Sequence, residues 1–338
     1  MTPIRLNTKH NIVKLRAVFM KVTFFGSGEI GIPCLEALKE SPNKLCGVFT
    51  QPARPAGRKR TPTPTAVANW ARQNGVRCTE SEDINLPDMA EQIAAYSGRL
   101  LVVIAFGQKI SQEVVALHPA GAINVHASLL PKYRGAAPIN WAIINGETQT
   151  GISIITLADK MDAGDILAQT KIPIGPDDTA QILHDKIAEA APKLLLDTID
   201  AIENGTAVYK SQDESKVTFA HKLKKSDGFI DWTAPAQDIN NKVRGLWPWP
   251  GAQAIFVSTK TGKSCRVTVA KARVVTAAET KRAQEGVLDK NLNVICGKDT
   301  LQMLSLKPAG GNLMNFRSFV NGRDVRPGDR FVAIVENG

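Results

Sequence analysis

From Lys21 onward, short apolar segments alternate with longer amphipathic ones, which is the pattern of a mostly parallel β-sheet with helices on both faces. The pattern predicts strands at 22–25, 45–50, 100–105, 122–125 and 151–156, and helices at 32–40, 65–74, 88–96, 138–145 and 179–204. Such sheets bind ligands at the carboxyl ends of their strands. The first part of the chain is therefore predicted to be an α/β domain with a Rossmann-like sheet and a site at that edge.

The pattern changes after Gly205. A polar, Lys-rich stretch predicts a linker at 206–226, within which 217–220 could form a short strand. Beyond it, alternating segments at 254–258, 265–275, 286–288, 293–296 and 300–307 predict a small Greek-key β-barrel of the OB-like kind. Four parts are thus expected: a leader or start-site extension at 1–19, a catalytic domain at 20–205, the linker at 206–226, and a C-terminal β-barrel domain at 227–338.

The net charge of +10 is unevenly distributed. Residues 1–20 carry four basic and no acidic side chains, residues 225–338 carry 17 basic and 10 acidic ones, and residues 21–224 carry 21 and 22. A basic C-terminal third favours a polyanionic partner, with a merely soluble basic surface as the alternative. The leader could also be a transit peptide, although it contains no serine.

Composition narrows the classes of protein to which the chain could belong. The five cysteines form no C-x-x-C pair, which predicts neither a zinc site nor a disulfide framework and suits a reducing cytoplasm. No apolar run approaches the roughly 18 residues that a membrane span requires. We therefore expect a cytoplasmic protein without a membrane or metal partner.

The first predicted strand is followed by Gly26-Ser-Gly28-Glu-Ile-Gly31, which matches a dinucleotide-binding pattern. That motif needs an acidic residue about 20 residues further on to hold the ribose. The corresponding position here lies in Val48-Phe-Thr-Gln-Pro52, which has no acidic residue. A nicotinamide cofactor is therefore disfavoured, and a tight strand-to-helix turn that requires glycine is the better interpretation.

Three polar residues predict the chemistry. Asn124 and His126 lie two apart at a strand end, so they project to the same side and could converge on one carbonyl group. An amide donor stabilises an oxyanion and an imidazole moves protons near neutral pH. Asp162, from a neighbouring element, could orient the ring. Because neither a G-x-S-x-G elbow nor a metal-ligand cluster is present, direct attack by a bound substrate is favoured over a covalent enzyme intermediate.

A basic loop follows the second predicted strand. Residues 50–64 contain four prolines and four positive charges: Arg54, Arg58, Lys59 and Arg60. A long loop at the ligand-binding edge of a sheet often serves function, and Arg and Lys at its tip suit phosphate groups. A solvated basic loop is the alternative.

Three motifs resemble those of the folate-dependent formyltransferase family: Asn-x-His-x-Ser-Leu-Leu-Pro at 124–131, Lys-Tyr-Arg-Gly-Ala-Ala-Pro-Ile at 132–139, and Met-Asp-Ala-Gly-Asp at 161–165. The resemblance extends from Met20 through Trp247-Pro-Trp-Pro250 and Ser305-Leu-Lys-Pro-Ala-Gly310. It departs at Gly28-Glu-Ile-Gly31, where the family is more aromatic, and residues 1–19 have no counterpart.

The resemblance implies that Asn124, His126 and Asp162 are the catalytic trio and that 10-formyltetrahydrofolate is the donor, without a metal. It further implies a folate site near Asp159, lined by these residues: Ser128, Leu129, Leu130, Pro131, Ala105, Phe106, Gly107 and Gln108.

The acceptor is implied by other features. The loop at 51–58 resembles the tRNA-reading insertion of family members that act on tRNA, with Arg58 at its key basic position. The implied acceptor is the α-amino group of methionyl initiator tRNA, which would place the protein in translation initiation, and we expect a monomer. Two alternatives stay open: a formyltransferase for a nucleotide-sugar amine, which would not need so basic a loop, and a non-catalytic RNA-binding protein, which the intact trio disfavours.

Overall fold

The computed structural model describes residues 19–56, 61–276 and 284–335. The predicted leader, apart from Phe19, lies outside these residues, as do Arg58, Lys59 and Arg60 of the basic loop. Within them, the part of the chain up to the predicted linker contains ten strands and six α-helices.

These elements are, in chain order, β1 (Lys21–Gly26), α1 (Ile32–Glu40), β2 (Lys44–Thr50), β3 (Arg54–Ala56), β4 (Thr61–Thr63), α2 (Ala66–Asn74), β5 (Cys78–Glu80), α3 (Pro87–Ala94), β6 (Leu100–Ile104), α4 (Gln112–Ala116), β7 (Ala122–His126), β8 (Arg134–Gly135), α5 (Pro138–Ile144), β9 (Gln149–Thr156), β10 (Ile166–Pro173) and α6 (Ala180–Glu203). The elements that follow are β11 (Phe219–Ala220), α7 (Ala236–Leu246), β12 (Ala252–Val257), β13 (Ser264–Val275), β14 (Val294–Ile295), β15 (Thr300–Pro308), β16 (Met314–Asn315), α8 (Phe316–Arg323) and β17 (Arg330–Val332).

The large sheet has the order β10-β9-β7-β6-β1-β2-β5. The five strands from β7 to β5 are parallel, whereas β9 pairs antiparallel with β7 and β10 antiparallel with β9. The predicted α/β class, with a mostly parallel Rossmann-like sheet, is confirmed. The antiparallel pair at one edge matters for the site, because it brings the loop between β9 and β10 next to β7.

Both faces of this sheet are buried, as its near-continuous apolar strands predict. Strand residues with even numbers on β1 and β6, such as Phe24 and Val102, pack in one core with α1, α2, α5 and α6. Their neighbours in the chain, such as Phe25 and Val103, pack on the opposite face against α3 and α4. Helices therefore cover both faces and leave the strand ends as the accessible edge.

The C-terminal part is a nearly closed antiparallel barrel. Its sheet has the order β14-β15-β13-β12-β17, and β16 pairs with β15. The segment predicted as a strand at 286–288 makes only isolated bridges, from Val287 to Arg330 and from Leu288 to Val294, and these span the gap between β17 and β14. The predicted β-barrel is confirmed, and its core contains Phe256, Phe331 and their neighbours.

Helix α7 joins the barrel to the α/β part. Arg244 donates hydrogen bonds to the backbone oxygens of Gly175 (3.3 Å) and Asp178 (2.9 Å). The Asn140 amide on α5 donates to the oxygen of Gly245 at 2.8 Å. These contacts fix the barrel against the domain that carries the predicted chemistry. Among the described residues, no helix is both long enough and apolar enough to span a membrane.

Candidate active site

Strand β7 carries Asn124 and His126 to the carboxyl edge of the sheet. Asn124 pairs with Val103 of β6 and Ile155 of β9, and His126, the last residue of the strand, pairs with Ser153. Side chains alternate along a strand, so Val125 points into the core on one face while Asn124 and His126 share the other. The predicted common orientation of the amide and the ring is thus present.

Asp162 reaches the same place from the loop between β9 and β10. Its Oδ2 lies 3.6 Å from Nδ1 of His126 and accepts a hydrogen bond of 2.8 Å from the backbone N–H of Gly135. Only 6% of the His126 side chain and 14% of the Asp162 side chain are exposed. The structure therefore brings together two residues that lie 36 positions apart in the chain.

The second ring nitrogen fixes the state of the imidazole. Nε2 of His126 lies 2.9 Å from the backbone oxygen of Tyr133. Because a carbonyl oxygen can only accept, this hydrogen bond requires a proton on Nε2. Nε2 is therefore committed to the backbone, and Nδ1 is the ring nitrogen that faces Asp162. Its distance to Asp162 exceeds that of an N–H···O hydrogen bond, so it is free to bond a substrate oxygen.

The loop that holds Asp162 is tightly constrained. Asp162 has a left-handed backbone with φ of 53°. A Cβ added to Gly164 would lie 1.8 Å from the backbone oxygen of Thr156, so only glycine fits there. The backbone N–H of Asp165 in turn donates to the Thr156 hydroxyl at 2.9 Å. The Met-Asp-Ala-Gly-Asp motif thus has a steric reason at its glycine and a functional candidate at its first aspartate.

Asn124 differs from His126 and Asp162 because its side-chain amide has no hydrogen-bond partner among the described residues. Among residues 19–56, 61–276 and 284–335, no group hydrogen-bonds to its side chain, and the residue is half-buried. A polar group in such a place is normally satisfied within the protein or by a ligand. The Asn124 amide is therefore available to a substrate oxygen.

A network of buried hydrogen bonds fixes the segment after His126. Ser128, which is fully buried, donates to the oxygen of Lys132 at 2.7 Å. Ser153 donates to the oxygen of Ser128 and accepts from the N–H of Leu130. The Ser128 and Leu130 side chains are buried, whereas Leu129 and Pro131 are half-buried. In this conformation Ser128 supports the loop, and Leu129 and Pro131 are its more accessible side chains.

The turn after β6 presents its backbone. Ala105 and Gly107 are exposed and have positive φ angles of 47° and 78°. Phe106 is buried, and its oxygen accepts from the Gln51 amide at 2.8 Å. Gln108 binds the N–H of Ile84 and the oxygen of Ser81, so its side chain supports a neighbouring loop.

The basic loop begins as a hairpin in which β3 pairs with β4. Arg54 is exposed and lies 3.8 Å from Glu82. The base of the hairpin is attached to the sheet edge through a chain of hydroxyls, in which Thr50 lies 3.2 Å from Ser27 and 2.7 Å from Thr65. The loop therefore rises from the same edge as the candidate site, while its tip lies outside the described residues.

Several groups at the site have no signature in a sequence. The Tyr133 oxygen and the Gly135 N–H are backbone atoms, although both belong to the second resemblance motif. Gln212 hydrogen-bonds to the Arg134 side chain and to the backbone of the loop that carries Asp162. Within the described residues, no cluster of three or more His, Cys, Asp or Glu side chains could hold a metal ion.

The two C-terminal motifs meet at the barrel. Trp247, Pro248 and Pro250 from one, with Lys307 to Gly310 from the other, line an open cavity of about 550 Å³. This cavity lies on the barrel and contains none of the predicted catalytic residues.

Comparisons with known proteins give the family. Residues 20–199 match the family described as formyl transferase, and residues 222–324 match the family described as formyl transferase, C-terminal domain. The chain is 38% identical to the methionyl-tRNA formyltransferase of Citrifermentans bemidjiense, over 91% of this chain and 95% of its relative. It is also 38% identical to that of Akkermansia muciniphila, over 90% and 96%.

Solved structures with lower sequence identity share the fold. HypX from Aquifex aeolicus in complex with tetrahydrofolic acid superposes with a TM-score of 0.60 at 16% identity, over 92% of this chain and 49% of that chain, so this chain spans about half its length. An N-formyltransferase from Helicobacter canadensis, in complex with folinic acid and dTDP-3-aminofucose, superposes with a TM-score of 0.58 at 17% identity, over 84% and 99%. The matches along the sequence place the chain in the formyl transferase family, in the group that includes the methionyl-tRNA formyltransferases.

Proposed function

We propose that this protein transfers the formyl group of 10-formyltetrahydrofolate to the α-amino group of methionyl initiator tRNA, for translation initiation. One observation of the site carries the proposal: the free amide of Asn124 and the Nδ1 of His126, backed by Asp162 at 3.6 Å, share one edge of the sheet. The relatives that match nearly the whole chain are named for this reaction.

The chemistry follows from the three side chains. The acceptor amine forms a bond to the formyl carbon, and the carbonyl oxygen becomes negative. Asn124 and protonated His126 donate hydrogen bonds to that oxygen, a contribution on the order of a hundredfold or more in rate. The bond from the formyl carbon to the folate nitrogen then breaks. The amine loses one proton and the folate nitrogen gains one, and Asp162 supports His126 in this exchange.

The donor site proposed for folate extends from the trio to the turn after β6. No described residue accepts a hydrogen bond from the backbone N–H of Phe106 or of Gly107, and Gly107 is exposed. Free backbone donors beside a catalytic edge suit a planar heterocycle with several acceptors. Leu129 and Pro131 supply adjacent apolar surface. Two structures of the same fold are described as complexes with tetrahydrofolic acid and folinic acid, which supports a folate compound as the donor.

The acceptor is proposed from the basic features. The hairpin of β3 and β4 rises beside the site and carries Arg54, with Arg58, Lys59 and Arg60 at its tip in sequence. The barrel domain has a surplus of basic residues and is fixed against the catalytic domain through α7. Both are suited to the phosphates of a tRNA that must present its aminoacyl end to His126. We propose that the protein acts as a monomer in the cytoplasm.

The test is transfer of radiolabelled formyl from 10-formyltetrahydrofolate to methionyl initiator tRNA, with a nucleotide-sugar amine assayed in parallel. Labelled formylmethionyl-tRNA and no labelled sugar is the expected result. Preferential formylation of the sugar amine would replace this acceptor with the alternative one, and transfer to neither would refute the function.

Two substitutions separate the roles. His126→Ala should abolish transfer and leave tRNA binding nearly intact, whereas the control His184→Ala, at a half-buried position on α6, should change neither transfer nor tRNA binding. Arg58→Ala should weaken use of the charged tRNA and leave folate binding unchanged. Equal losses of tRNA use and folate binding would show instead that the basic loop is structural.

A further inference from the structure

The segment between the two domains is part of the site. Its residue Gln212 uses every hydrogen-bonding position of its amide. Oε1 accepts from Nε and Nη2 of Arg134 at 3.1 and 2.9 Å. Nε2 donates to the backbone oxygens of Asp162 and Gly164, both at 2.8 Å. One side chain from outside the catalytic sheet thus joins the loop after β7 to the loop that carries Asp162.

The partner of Gln212 is itself fixed. Arg134 is only 4% exposed, and its Nη2 also lies 2.6 Å from Oε1 of Glu214 in the same segment. The backbone of Arg134 and Gly135 pairs in parallel with Phe219 and Ala220 as β8 and β11. The planar guanidinium has two adjacent donors directed at one amide oxygen, a geometry that lysine cannot reproduce. The loop after β7 therefore takes its position from the segment 212–220.

The loop that carries Asp162 needs contacts that hold its left-handed backbone. A left-handed backbone at a residue other than glycine costs roughly 1 kcal/mol and persists only where its surroundings hold it. Gln212 binds the oxygen of Asp162 itself and that of Gly164, on either side of Ala163. On the other loop, the Gly135 N–H binds the Asp162 carboxylate. The Gln212 amide and the Gly135 N–H together set where that carboxylate stands relative to His126.

We propose that Gln212 is a positioning residue for formyl transfer, which sets the separation of Asp162 and His126 through Arg134 and the Asp162 loop. This inference rests on the proposed function. It makes the interdomain segment a component of the active site, so that displacement of 212–220 would move the catalytic carboxylate.

Two variants distinguish the hydrogen bonds that Gln212 accepts from Arg134 from those that it donates to the Asp162 loop. Gln212→Glu keeps acceptors for Arg134 but removes the donors to the Asp162 and Gly164 oxygens. Gln212→Met keeps the approximate shape and removes both functions. Gln149→Glu, at an exposed position at the start of β9, is the matched control for the same chemical change.

The measurements are kcat, the KM for 10-formyltetrahydrofolate, the melting temperature, and hydrogen exchange of backbone amides at 159–165. For both Gln212 variants we expect kcat to fall about tenfold to a hundredfold, as for a misplacement on the scale of 1 Å, with KM within about threefold of wild type. Exchange at 159–165 should become faster, while exchange in β6 and β7 and the melting temperature should stay near wild type. Gln149→Glu should change none of these.

A kcat within threefold of wild type in both variants would overturn the proposal. So would a loss of kcat without faster exchange at 159–165, or faster exchange throughout the domain with a lower melting temperature, which would indicate general destabilisation. If the wild-type protein itself transferred no formyl group, the proposed function would fail, and the exchange comparison would still decide whether Gln212 holds the Asp162 loop.

Discussion

Replacing Asp162 with asparagine isolates the charge at the site. Asparagine has nearly the same shape and tolerates the left-handed backbone that Asp162 adopts, with φ of 53°. Its amide oxygen can still accept the hydrogen bond from the Gly135 N–H. The loop is therefore expected to keep its fold, and the change removes one negative charge 3.6 Å from Nδ1 of His126.

The distance sets the size of the effect. Opposite unit charges at this separation attract by about 4 to 5 kcal/mol at an effective dielectric constant of about 20. Both side chains are nearly buried, so water screens the pair weakly. The attraction speeds the reaction only by the amount by which the positive charge on the His126 ring is larger in the transition state than in the ground state. If about two thirds is expressed there, Asp162→Asn costs about 3 kcal/mol, which lowers kcat roughly a hundredfold.

The assay is steady-state formylation of methionyl initiator tRNA at saturating donor, with thermal unfolding measured on the same samples. Asp197→Asn, at an exposed site on α6, controls for the loss of one carboxylate. A kcat for Asp162→Asn within about threefold of wild type, with an unchanged melting temperature, would show that the carboxylate does not act on His126 through its charge.

Three further predictions concern stability. Gly164→Ala should destabilise the fold by about 2 kcal/mol or more in urea unfolding and lower kcat, because its Cβ would meet the Thr156 oxygen; a change within about 0.5 kcal/mol would refute the steric argument. Burial lowers the pKa of His118 below its usual range, so its contribution to stability is present above that range and is lost as pH falls through the folded value. The free energy of unfolding should therefore decrease between about pH 7 and pH 5, and less so in His118→Gln. Burial opposes ionisation of Asp178, but the Lys186 ammonium and the Gly175 N–H outweigh it and lower the pKa. Its stabilisation is thus present above the usual carboxyl range and lost in acid, so Asp178→Asn should differ from wild type more at about pH 6 than at about pH 3.

Elements with strong local signals could be predicted from the sequence. Helix α2 begins after Thr65, whose hydroxyl accepts from the N–H of Ala68, and ends at Gly75 with a left-handed φ of 64°. Strand β6 is apolar at all five positions because both faces of the sheet are covered. In these places capping chemistry and burial agree with the fold, so local and global preferences predict the same structure.

Elements without such signals were not predicted. Strand β10 lies at the sheet edge, and of its eight residues only Ile172 is buried, so its sequence lacks the continuous apolar pattern of the central strands. The hairpin of β3 and β4 contains Pro55 and Pro62, which disfavour a strand in sequence but are tolerated in a short isolated pair. Helix α7 is largely polar, and its stability comes from contacts with the barrel and with α5.

The candidate site shows the same division. Residue types and spacing pointed to Asn124, His126 and Asp162, and the structure brings the ring and the carboxylate together. The partners of His126 and Asp162 could not be inferred, because they are the backbone oxygen of Tyr133 and the backbone N–H of Gly135. Every residue has such an oxygen, and every residue except proline has such an N–H. Only the path of the loop after β7 makes them partners of His126 and Asp162.

The sheet topology explains why the loop that carries Asp162 needs support from outside the sheet. The antiparallel pair of β9 and β10 replaces a parallel crossover beside β7, so the Asp162 loop arrives without a helix to hold it. The interdomain segment supplies that support: Lys210 bridges Ile166, Gln212 binds the Asp162 and Gly164 oxygens, and Ser211 donates to Asp165. The segment that leads to the acceptor-binding domain proposed here thus also holds the loop that carries Asp162. A bound acceptor that shifted this segment would therefore change the geometry of the reaction as well as its own position.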